Sequence, residues 1–224
     1  MMGPVAILGG TFDPVHNGHL GLANDVRRAL ALPEVRLVPA GDPPHRGGPA
    51  ASGRDRLAML RLAVADRPGL VVDPREVLRP GKSYTVLTLE ELRQESATRP
   101  LLLLAGADAF VGFPTWHRWK DLFALAHIVV VARPGVVLEP SGELGREWKL
   151  RLVDKPDLLF SRPAGSIYVQ AIDPVPISAT EIRAQLAQGA AAREAVVQSL
   201  PPAVLRYIDQ HRLYYGPTLP QDAT

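Results

Sequence analysis

The chain has 224 residues, 25 of them Lys or Arg and 23 Asp or Glu, and it contains no cysteine. This length supports one substantial hydrophobic core, and the lack of cysteine excludes disulfide bonds, thiolate catalysis and iron–sulfur ligation. The small positive surplus predicts no basic face, so we expect no nucleic-acid partner. The longest strongly apolar stretch, residues 101–107, is far shorter than the ~20 residues of a membrane span. No signal-peptide pattern opens the chain, so we expect a cytoplasmic protein without a membrane partner.

The first predicted element is a buried strand that leads through glycines into a helix. Residues 5–8 form an aliphatic run, and Gly9 and Gly10 are expected to end the strand. Asn17 is expected to cap the helix that follows. Backbone N–H groups and the positive end of the helix dipole converge at such a turn, which predicts a phosphate site.

Two histidines, His16 and His19, flank the predicted start of this helix. Both imidazoles are expected to lean over one anion, where their N–H groups can stabilise charge on a reacting phosphate. Zinc usually requires three or four ligands and no cysteine is available, so no metal site is predicted. Metal ligation and two unrelated surface histidines remain open as alternatives.

The next segments complete a βαβ unit and a long polar loop. The helix is expected to run from residue 18 to about residue 32, and a second strand to cover residues 35–38. This order predicts parallel pairing with a right-handed crossover. Residues 40–53 are rich in Gly and Pro and follow the second strand, where ligands collect in open α/β sheets. His45 and Arg46 in this loop predict a mobile flap that contacts phosphate, with disorder as the alternative.

Alternating helices and strands along the rest of the chain predict an α/β fold. We expect a Rossmann-like, doubly wound parallel sheet with helices on both faces and a small C-terminal helical part. Residues 100–105 are continuously apolar, as expected for a central strand buried on both faces. One domain is predicted over residues 1–216, with 178–216 as the helical part and 217–224 as a disordered tail. The other predicted strands are 70–72, 128–132 and 166–171, and the other helices are 54–65, 83–94 capped by Ser83, 143–153, one opening at 177–183, and 202–211.

Polar and aromatic side chains follow several of these strands. Gly106 and Asp108 come after the central strand, beside the first-strand glycines if the two strands are neighbours; helix capping is a compatible alternative for Asp108. Trp116 lies in a predicted loop, where its indole could stack on a flat ring, with core packing as the alternative. Trp119 is assigned to the core. Arg133 follows the strand 128–132, in a position to meet a phosphate.

A second anion site is predicted where the helix after residue 177 begins. Ser178 suits the N-cap and Glu181 stands at the capping-box position. The hydroxyls of Ser178 and Thr180 can donate to an anion, and Arg183 can offer a fork of N–H groups. The capping box explains Ser178 and Glu181 but not the arginine.

The number of anion sites indicates two phosphorylated substrates. Five predicted strands end in loops with phosphate-compatible groups, which is more than one mononucleotide requires. The P-loop sequence and the Gly-x-Gly-x-x-Gly fingerprint are both missing, and no nucleophile–base pair stands out. Attack by one substrate's phosphate on the α-phosphate of the other fits this pattern, because a charged nucleophile needs positioning rather than deprotonation.

Seven segments together resemble the bacterial nicotinate-nucleotide adenylyltransferases over about residues 4–215. The first and last segments are shared with the wider nucleotidyltransferase superfamily, whereas Ser-Tyr-Thr and Pro-Thr-Trp narrow the resemblance to the adenylyltransferases of NAD biosynthesis. The segments are Gly-Gly-Thr-Phe-Asp-Pro-Val-His-Asn-Gly-His at 9–19, Pro-Pro-His-Arg at 43–46, Ser-Tyr-Thr at 83–85, Gly-Ala-Asp at 106–108, Pro-Thr-Trp at 114–116, Arg-Pro-Gly at 133–135 and Ile-Ser-Ala-Thr-Glu-Ile-Arg at 177–183.

The resemblance implies transfer of AMP from ATP to nicotinate mononucleotide, with Mg²⁺ accompanying the triphosphate. His16 and His19 would be the catalytic residues that hold the ATP phosphates, and Trp116 would stack on the pyridine ring. The implied ATP-binding residues are Gly9, Gly10, Thr11, Phe12, His45, Arg46, Gly106, Asp108, Ile177, Ser178, Thr180 and Arg183. The implied acceptor-binding residues are Thr85, Asp108, Trp116 and Arg133.

Three positions depart from the family pattern. Arg46 stands where lysine is common, Ala179 where serine is common and His117 where tyrosine is often found. Arginine keeps the charge but changes its geometry. A sister adenylyltransferase that uses phosphopantetheine, a cytidylyltransferase and a nucleotide-sensing regulator remain open as alternatives. The sequence leaves the oligomeric state open, a homo-oligomer included.

Overall fold

A computed structural model describes residues 3–44, 48–173, 175–189 and 193–216 of the chain. The strands are β1 (Val5–Gly10), β2 (Val35–Pro39), β3 (Leu70–Val72), β4 (Leu101–Gly106), β5 (His127–Ala132), β6 (Leu152–Val153) and β7 (Ile167–Ala171). All seven are parallel and form one sheet in the order β3-β2-β1-β4-β5-β7-β6, which confirms the predicted Rossmann-like α/β fold. Within the described ranges, no helix is long and apolar enough to cross a membrane.

Helices cover both faces of the sheet and bury its strands. Along β4, Leu102 and Leu104 belong to one hydrophobic core, whereas Leu101 and Leu103 belong to the other. The helices are α1 (Asn17–Ala29), α2 (Gly53–Val64), α3 (Arg75–Leu78), α4 (Thr85–Glu95), α5 (Ala107–Val111), α6 (Leu122–Leu125), α7 (Gly142–Arg151), α8 (Ala179–Leu186) and α9 (Pro202–His211). The first core also contains residues of α1, α2, α8 and α9, and the second contains residues of α4 to α7.

Strands β1 and β4 pair at the centre of the sheet, where the strand order reverses direction along the chain. Val5 is opposite Leu101 in this parallel pair, so the carboxyl ends of both strands lie at the same edge. The loops after β1, β2, β4 and β5 therefore meet at this edge. Ligands of open α/β sheets bind at such a switch point.

The start of the chain differs from the prediction in two details. β1 does not stop before the two glycines, since it pairs with β2 through Gly9 and as far as Gly10 opposite Pro39. Asn17 is not the helix cap: His16 has the extended backbone of the N-cap residue, and Asn17 is the first residue of α1. The Asn17 side chain instead donates to the carbonyl oxygen of Gln198 at 2.9 Å.

Two predicted helices have different boundaries in the structure, and short helices such as α3 were not predicted. The helix predicted at 83–94 begins at Thr85, because the hydroxyl of Ser83 accepts a hydrogen bond from the N–H of Gly41 instead of capping the helix. The helix predicted at 143–153 ends at Arg151, and the next two residues form β6 because β7 offers them a pairing edge. The short helix α3 was not predicted, since four residues are too few for a periodic pattern.

Candidate active site

Two adjoining cavities open at the carboxyl edge of the sheet. The aromatic cavity has a volume of about 480 Å³, and the histidine cavity has a volume of about 420 Å³. Thr11 and Pro43 line both cavities, so the two spaces meet beside the end of β1. The aromatic cavity is lined by Gly9, Gly10, Thr11, Ala40, Pro43, Pro44, Glu76, Ser83, Tyr84, Thr85, Leu103, Leu104, Thr115, Trp116 and His117. The histidine cavity is lined by Thr11, Phe12, Asp13, His19, Pro43, Gly48, Pro49, Ala50, Ala179 and Arg183.

The two predicted histidines stack on each other at the start of α1. Their ring centroids are 3.7 Å apart, and the ring planes differ by 25°. The backbone N–H of His16 donates to Nδ1 of His19 at 3.4 Å. His19 lines the histidine cavity, whereas His16 is buried beside it with 5% of its surface exposed. Both rings lie at the start of α1, as predicted, and their contact with an anion stays a prediction.

Burial keeps both imidazoles neutral in the free protein. It lowers the pKa of His16 to about 4. The pKa of His19 is lowered to about 3, mainly by burial and to a smaller extent by the positive charge that His16 carries when it is protonated. Among the described residues, Nδ1 of His16 has no hydrogen-bond partner. An anion in the histidine cavity would favour the protonated rings, because an opposite charge raises the pKa of a histidine.

The chain around the histidines is tightly packed. A Cβ atom added to Gly18 would lie 3.1 Å from Nδ1 of His16 and 3.3 Å from the carbonyl oxygen of Val175. Phe12 has a left-handed backbone with φ of 51°. Its buried ring packs edge-on against His19 with centroids 5.0 Å apart. Gly18 and Phe12 therefore fix the ring positions of the two histidines.

Asp13 connects the histidine segment to two distant parts of the chain. Its carboxylate accepts the backbone N–H groups of Ala50 at 2.7 Å and Ala51 at 3.1 Å. The hydroxyl of Tyr214 also donates to this carboxylate at 2.7 Å. Burial raises the pKa of Tyr214, so its hydroxyl remains a donor at neutral pH. Asp13 thereby ties the end of the 40–53 loop and the C-terminal segment to the site.

Arg183 lies against the same segment. Its Nη1 donates to the carbonyl oxygen of Asp13 at 2.7 Å, and its Nη2 donates to the hydroxyl of Thr180 at 3.3 Å. Ser178 is the N-cap of α8, and its hydroxyl accepts the N–H of Glu181 at 3.4 Å. The predicted cap is confirmed, and it brings Arg183 to the wall of the histidine cavity.

A fully buried arginine that was not predicted holds the loops around the site. Arg56 on α2 donates through Nη1 to the carbonyl oxygen of Thr11 at 2.7 Å and through Nη2 to that of Gly41 at 3.0 Å. Its Nε donates to the carbonyl oxygen of Ala51 at 3.3 Å. Burial lowers the pKa of Arg56, while the charge on Asp13 raises it. One side chain thus fixes the end of β1 and both ends of the 40–53 loop.

Aromatic side chains form the far wall of the aromatic cavity. Trp116 is half-buried and packs against Phe113 with ring centroids 4.6 Å apart. The ring of Tyr84 packs against His117 with centroids 4.4 Å apart. Trp116 therefore packs on the core with one part of its side chain and lines the cavity with another, and stacking of its indole on a flat ring stays a prediction. Trp119 is buried in the core, as predicted.

The structure brings together about half of the predicted site residues. Gly9, Gly10, Thr11, Thr85 and Trp116 line the aromatic cavity, and Thr11, Phe12, His19 and Arg183 line the histidine cavity. His45 and Arg46 lie outside the described residues. Other predicted residues lie at the same edge of the sheet or at the N-terminal end of α8 but line neither cavity: Gly106, Asp108, Arg133, Ile177, Ser178 and Thr180.

Sequence reasoning missed Asp13, Arg56 and Glu76. Arg56 precedes the apolar stripe of α2, and no pattern separates it from a solvent-exposed arginine. Glu76 belongs to a helix of four residues that gives no periodic signal. Asp13 lies within the histidine segment, but its partners follow it by up to 201 residues.

Comparisons with known proteins agree with this geometry. The family model described as cytidylyltransferase-like matches residues 7–185. A "probable nicotinate-nucleotide adenylyltransferase" from Dechloromonas aromatica is 48% identical over 218 residues, covering 96% of this chain and 99% of the relative. A relative of the same name from Halorhodospira halophila is 46% identical over 215 residues, covering 96% of this chain and 97% of the relative. The Plasmodium falciparum nicotinic acid mononucleotide adenylyltransferase complexed with NaAD has a similar fold, with a TM-score of 0.71 at 15% identity over 95% of this chain and 98% of that one.

The parallel sheet, with two stacked histidines at the helix after β1, defines a nucleotidyltransferase of the cytidylyltransferase-like class. Within that class the chain belongs to the nicotinate-nucleotide adenylyltransferase family.

Proposed function

We propose that this enzyme transfers AMP from ATP to nicotinate mononucleotide and releases pyrophosphate, forming deamido-NAD. The observation that carries the proposal is the pair of adjoining cavities that meet at Thr11 and Pro43. One cavity has imidazole and guanidinium groups suited to a triphosphate, and the other has an indole suited to a flat ring. Two substrates bound side by side would have their reacting phosphates at the shared wall.

The reaction requires positioning more than proton transfer. An oxygen of the acceptor's phosphate attacks the α-phosphorus of ATP, and a new P–O–P bridge forms. The bond from the α-phosphorus to the oxygen of the β-phosphate breaks, and pyrophosphate leaves with that electron pair. Because the attacking oxygen already carries negative charge, no general base is needed.

His16 and His19 would act on the charge that builds during this step. Their rings are neutral in the free protein because burial lowers both pKa values. A triphosphate beside them would raise these pKa values, and their N–H groups could then donate to the phosphates of the transition state. Phe12 and Gly18 hold the rings in place for this role.

The ATP side would use the histidine cavity and the loops around it. Arg183 donates two of the five guanidinium N–H groups to Asp13 and Thr180, which leaves others for the β- and γ-phosphates. The backbone from Gly9 to Phe12 would approach the phosphates closely, since two glycines and an extended strand end leave it accessible. The remaining proposed contacts to ATP are His45, Arg46, Gly106, Asp108, Ile177, Ser178 and Thr180.

The acceptor side would use the aromatic cavity. Trp116 would stack on the pyridine ring, and Thr85 would hydrogen-bond the acceptor at the start of α4. Both residues line this cavity, which supports the assignment. Asp108 and Arg133 follow the neighbouring strands β4 and β5 and would reach the ribose and phosphate of the acceptor.

Mg²⁺ would enter with the triphosphate and neutralise part of its charge. The described residues hold no group of three or more His, Cys, Asp or Glu side chains arranged for a metal ion. A magnesium ion held mainly by phosphate oxygens and water, with one carboxylate such as Asp108, fits the donors at this edge.

Pyrophosphate release in the presence of ATP tests the proposal directly. We expect release with nicotinate mononucleotide, together with a dinucleotide product of the mass of deamido-NAD. The control acceptors are nicotinamide mononucleotide and phosphopantetheine, and CTP replaces ATP in a third control. No release with nicotinate mononucleotide would overturn the function, and equal rates with the amide would overturn the acceptor preference.

A further inference from the structure

A buried carboxylate lies in the wall of the aromatic cavity without a role in the reaction described above. Glu76 on α3 has 8% of its surface exposed and lines the cavity. The hydroxyl of Thr88 donates to Glu76 Oε1 at 2.5 Å, and the side chain of Ser83 lies beside the same carboxyl. Burial raises the pKa of Glu76, while these hydroxyls and the charge on Arg79 lower it.

Ser83 links this carboxylate to the loop after β2. Its Oγ accepts the N–H of Gly41 at 2.8 Å, and its own N–H donates to the carbonyl oxygen of Asp42 at 2.8 Å. A hydroxyl has one hydrogen to donate. Because the lone pairs of Ser83 Oγ face Gly41, its hydrogen is available for the Glu76 carboxylate beside it.

The loop after β2 and α3 are in direct backbone contact at Gly41 and Glu76. A Cβ atom added to Gly41 would lie 2.1 Å from the carbonyl oxygen of Glu76, so only glycine fits there. The other face of the Gly41 peptide is held by Arg56, which donates to its carbonyl oxygen at 3.0 Å. The position of Ser83 is therefore determined by the buried network and not by solvent.

The residues that follow Ser83 form the wall of the aromatic cavity. Tyr84 and Thr85 are the next two residues, and both line the cavity. The ring of Tyr84 reaches across to His117, which adjoins Trp116 on the opposite wall. A shift of Ser83 would move Tyr84 and Thr85 relative to Trp116 and would change the width of the cavity.

We propose that Glu76 and Ser83 are positioning residues for the acceptor, and that the Ser83–Gly41 hydrogen bond, with the Glu76 carboxylate beside it, holds Thr85 and Tyr84 at the distance from Trp116 that a pyridine nucleotide requires. The inference rests on the proposed function, because it assigns the aromatic cavity to the acceptor. It concerns acceptor binding alone, since the histidine cavity does not include either residue.

Steady-state kinetics of Ser83→Ala, Glu76→Ala and Glu76→Gln test this role. Loss of a buried hydrogen bond at a binding wall should raise the KM for nicotinate mononucleotide about five- to tenfold in the two alanine variants. The KM for ATP should change less than about twofold, and kcat less than about threefold, because the histidine cavity is untouched. Glu76→Gln keeps an oxygen acceptor and should recover most of the acceptor affinity.

Two matched controls separate positioning from general stability. Thr88→Val removes the other hydroxyl bound to Glu76, on the α4 side, and should lower Tm while leaving the acceptor KM within about twofold of the wild-type value. Glu91→Gln alters a more exposed carboxylate that pairs with Arg79 at 2.7 Å and should change neither quantity appreciably.

The proposed function and the positioning role are tested by different measurements. The wild-type reaction with nicotinate mononucleotide decides the proposed function before any variant is compared. With that reaction present, an unchanged acceptor KM in Ser83→Ala would overturn the positioning role, as would an equal rise in the KM for ATP. If Glu76→Ala does not fold, Ser83→Ala decides the question, because it removes a single hydroxyl and leaves the buried carboxylate in place.

Discussion

At the scale of single residues, His16 and His19 carry the chemistry of the proposed reaction. We predict that His19→Ala lowers kcat about 10²- to 10³-fold, as expected when one donor to transition-state charge is removed. The KM for the acceptor should change little, because the aromatic cavity does not include His19. His211→Ala is the control, since that exposed histidine lies on α9 and stacks on Tyr207. If His19→Ala raised the KM for ATP and left kcat unchanged, the catalytic role would be contradicted.

The low pKa values of the same two residues predict that the free energy of unfolding decreases in acid. Their folded-state pKa values of about 4 and about 3 lie below the ordinary value of 6.5, so the unfolded chain binds more protons between those limits. Stability is therefore fully present above pH 6.5 and is lost as pH falls toward 3. The slope is at most about 1.4 kcal/mol per pH unit for each histidine.

Urea unfolding of the wild type and of His19→Gln between pH 7 and pH 4 measures this slope. The variant should lose part of the pH dependence of the free energy of unfolding. Saturating ATP should also flatten the dependence in the wild type, because bound phosphate raises both histidine pKa values. Parallel curves for variant and wild type would argue that His19 is not held neutral by the fold.

At the scale of elements, the start of α1 determines the geometry of the histidine pair. We predict that Gly18→Ala lowers kcat at least tenfold, because the added methyl group would lie 3.1 Å from the His16 ring and would displace it. Gly21→Ala on the same helix is the matched control, since a Cβ there meets no atom within 4 Å. The control should keep its activity and gain up to about 1 kcal/mol of stability from helix propensity. Equal activity in the two variants would contradict the tight packing at Gly18.

At the scale of the whole molecule, the hydrogen bonds of Asp13 join the two ends of the chain. We predict that Tyr214→Phe lowers the free energy of unfolding by about 1–2 kcal/mol, because the buried Asp13 carboxylate loses one of its donors. Tyr215→Phe removes a bond to Asp209, which keeps its ion pair with Arg193 at a more exposed site. Denaturant titration of both variants should show the larger loss for Tyr214→Phe, and the reverse order would contradict the structural role of Asp13.

Local sequence patterns were enough to predict six of the seven described strands, most helices and the histidine pair. Residues 100–105 revealed a strand buried on both faces, because an uninterrupted apolar run of this length is typical of the centre of a parallel sheet. Gly18 between two histidines, a helix cap at Ser178 and an arginine one turn later are also local signals. These features depend on residues a few positions apart, so periodicity and capping preferences are sufficient to find them.

Only the tertiary structure revealed what holds the site together. Asp13 meets Tyr214 across 201 residues, and Arg56 meets Thr11 across 45 residues. Ser83 suits a helix cap by sequence, yet its hydroxyl binds Gly41 because α3 and the loop after β2 pack against it. Which strands become neighbours decides which loops share an edge, and no local propensity encodes that choice. The chain therefore determines its reacting groups locally, whereas long-range packing determines the residues that position them.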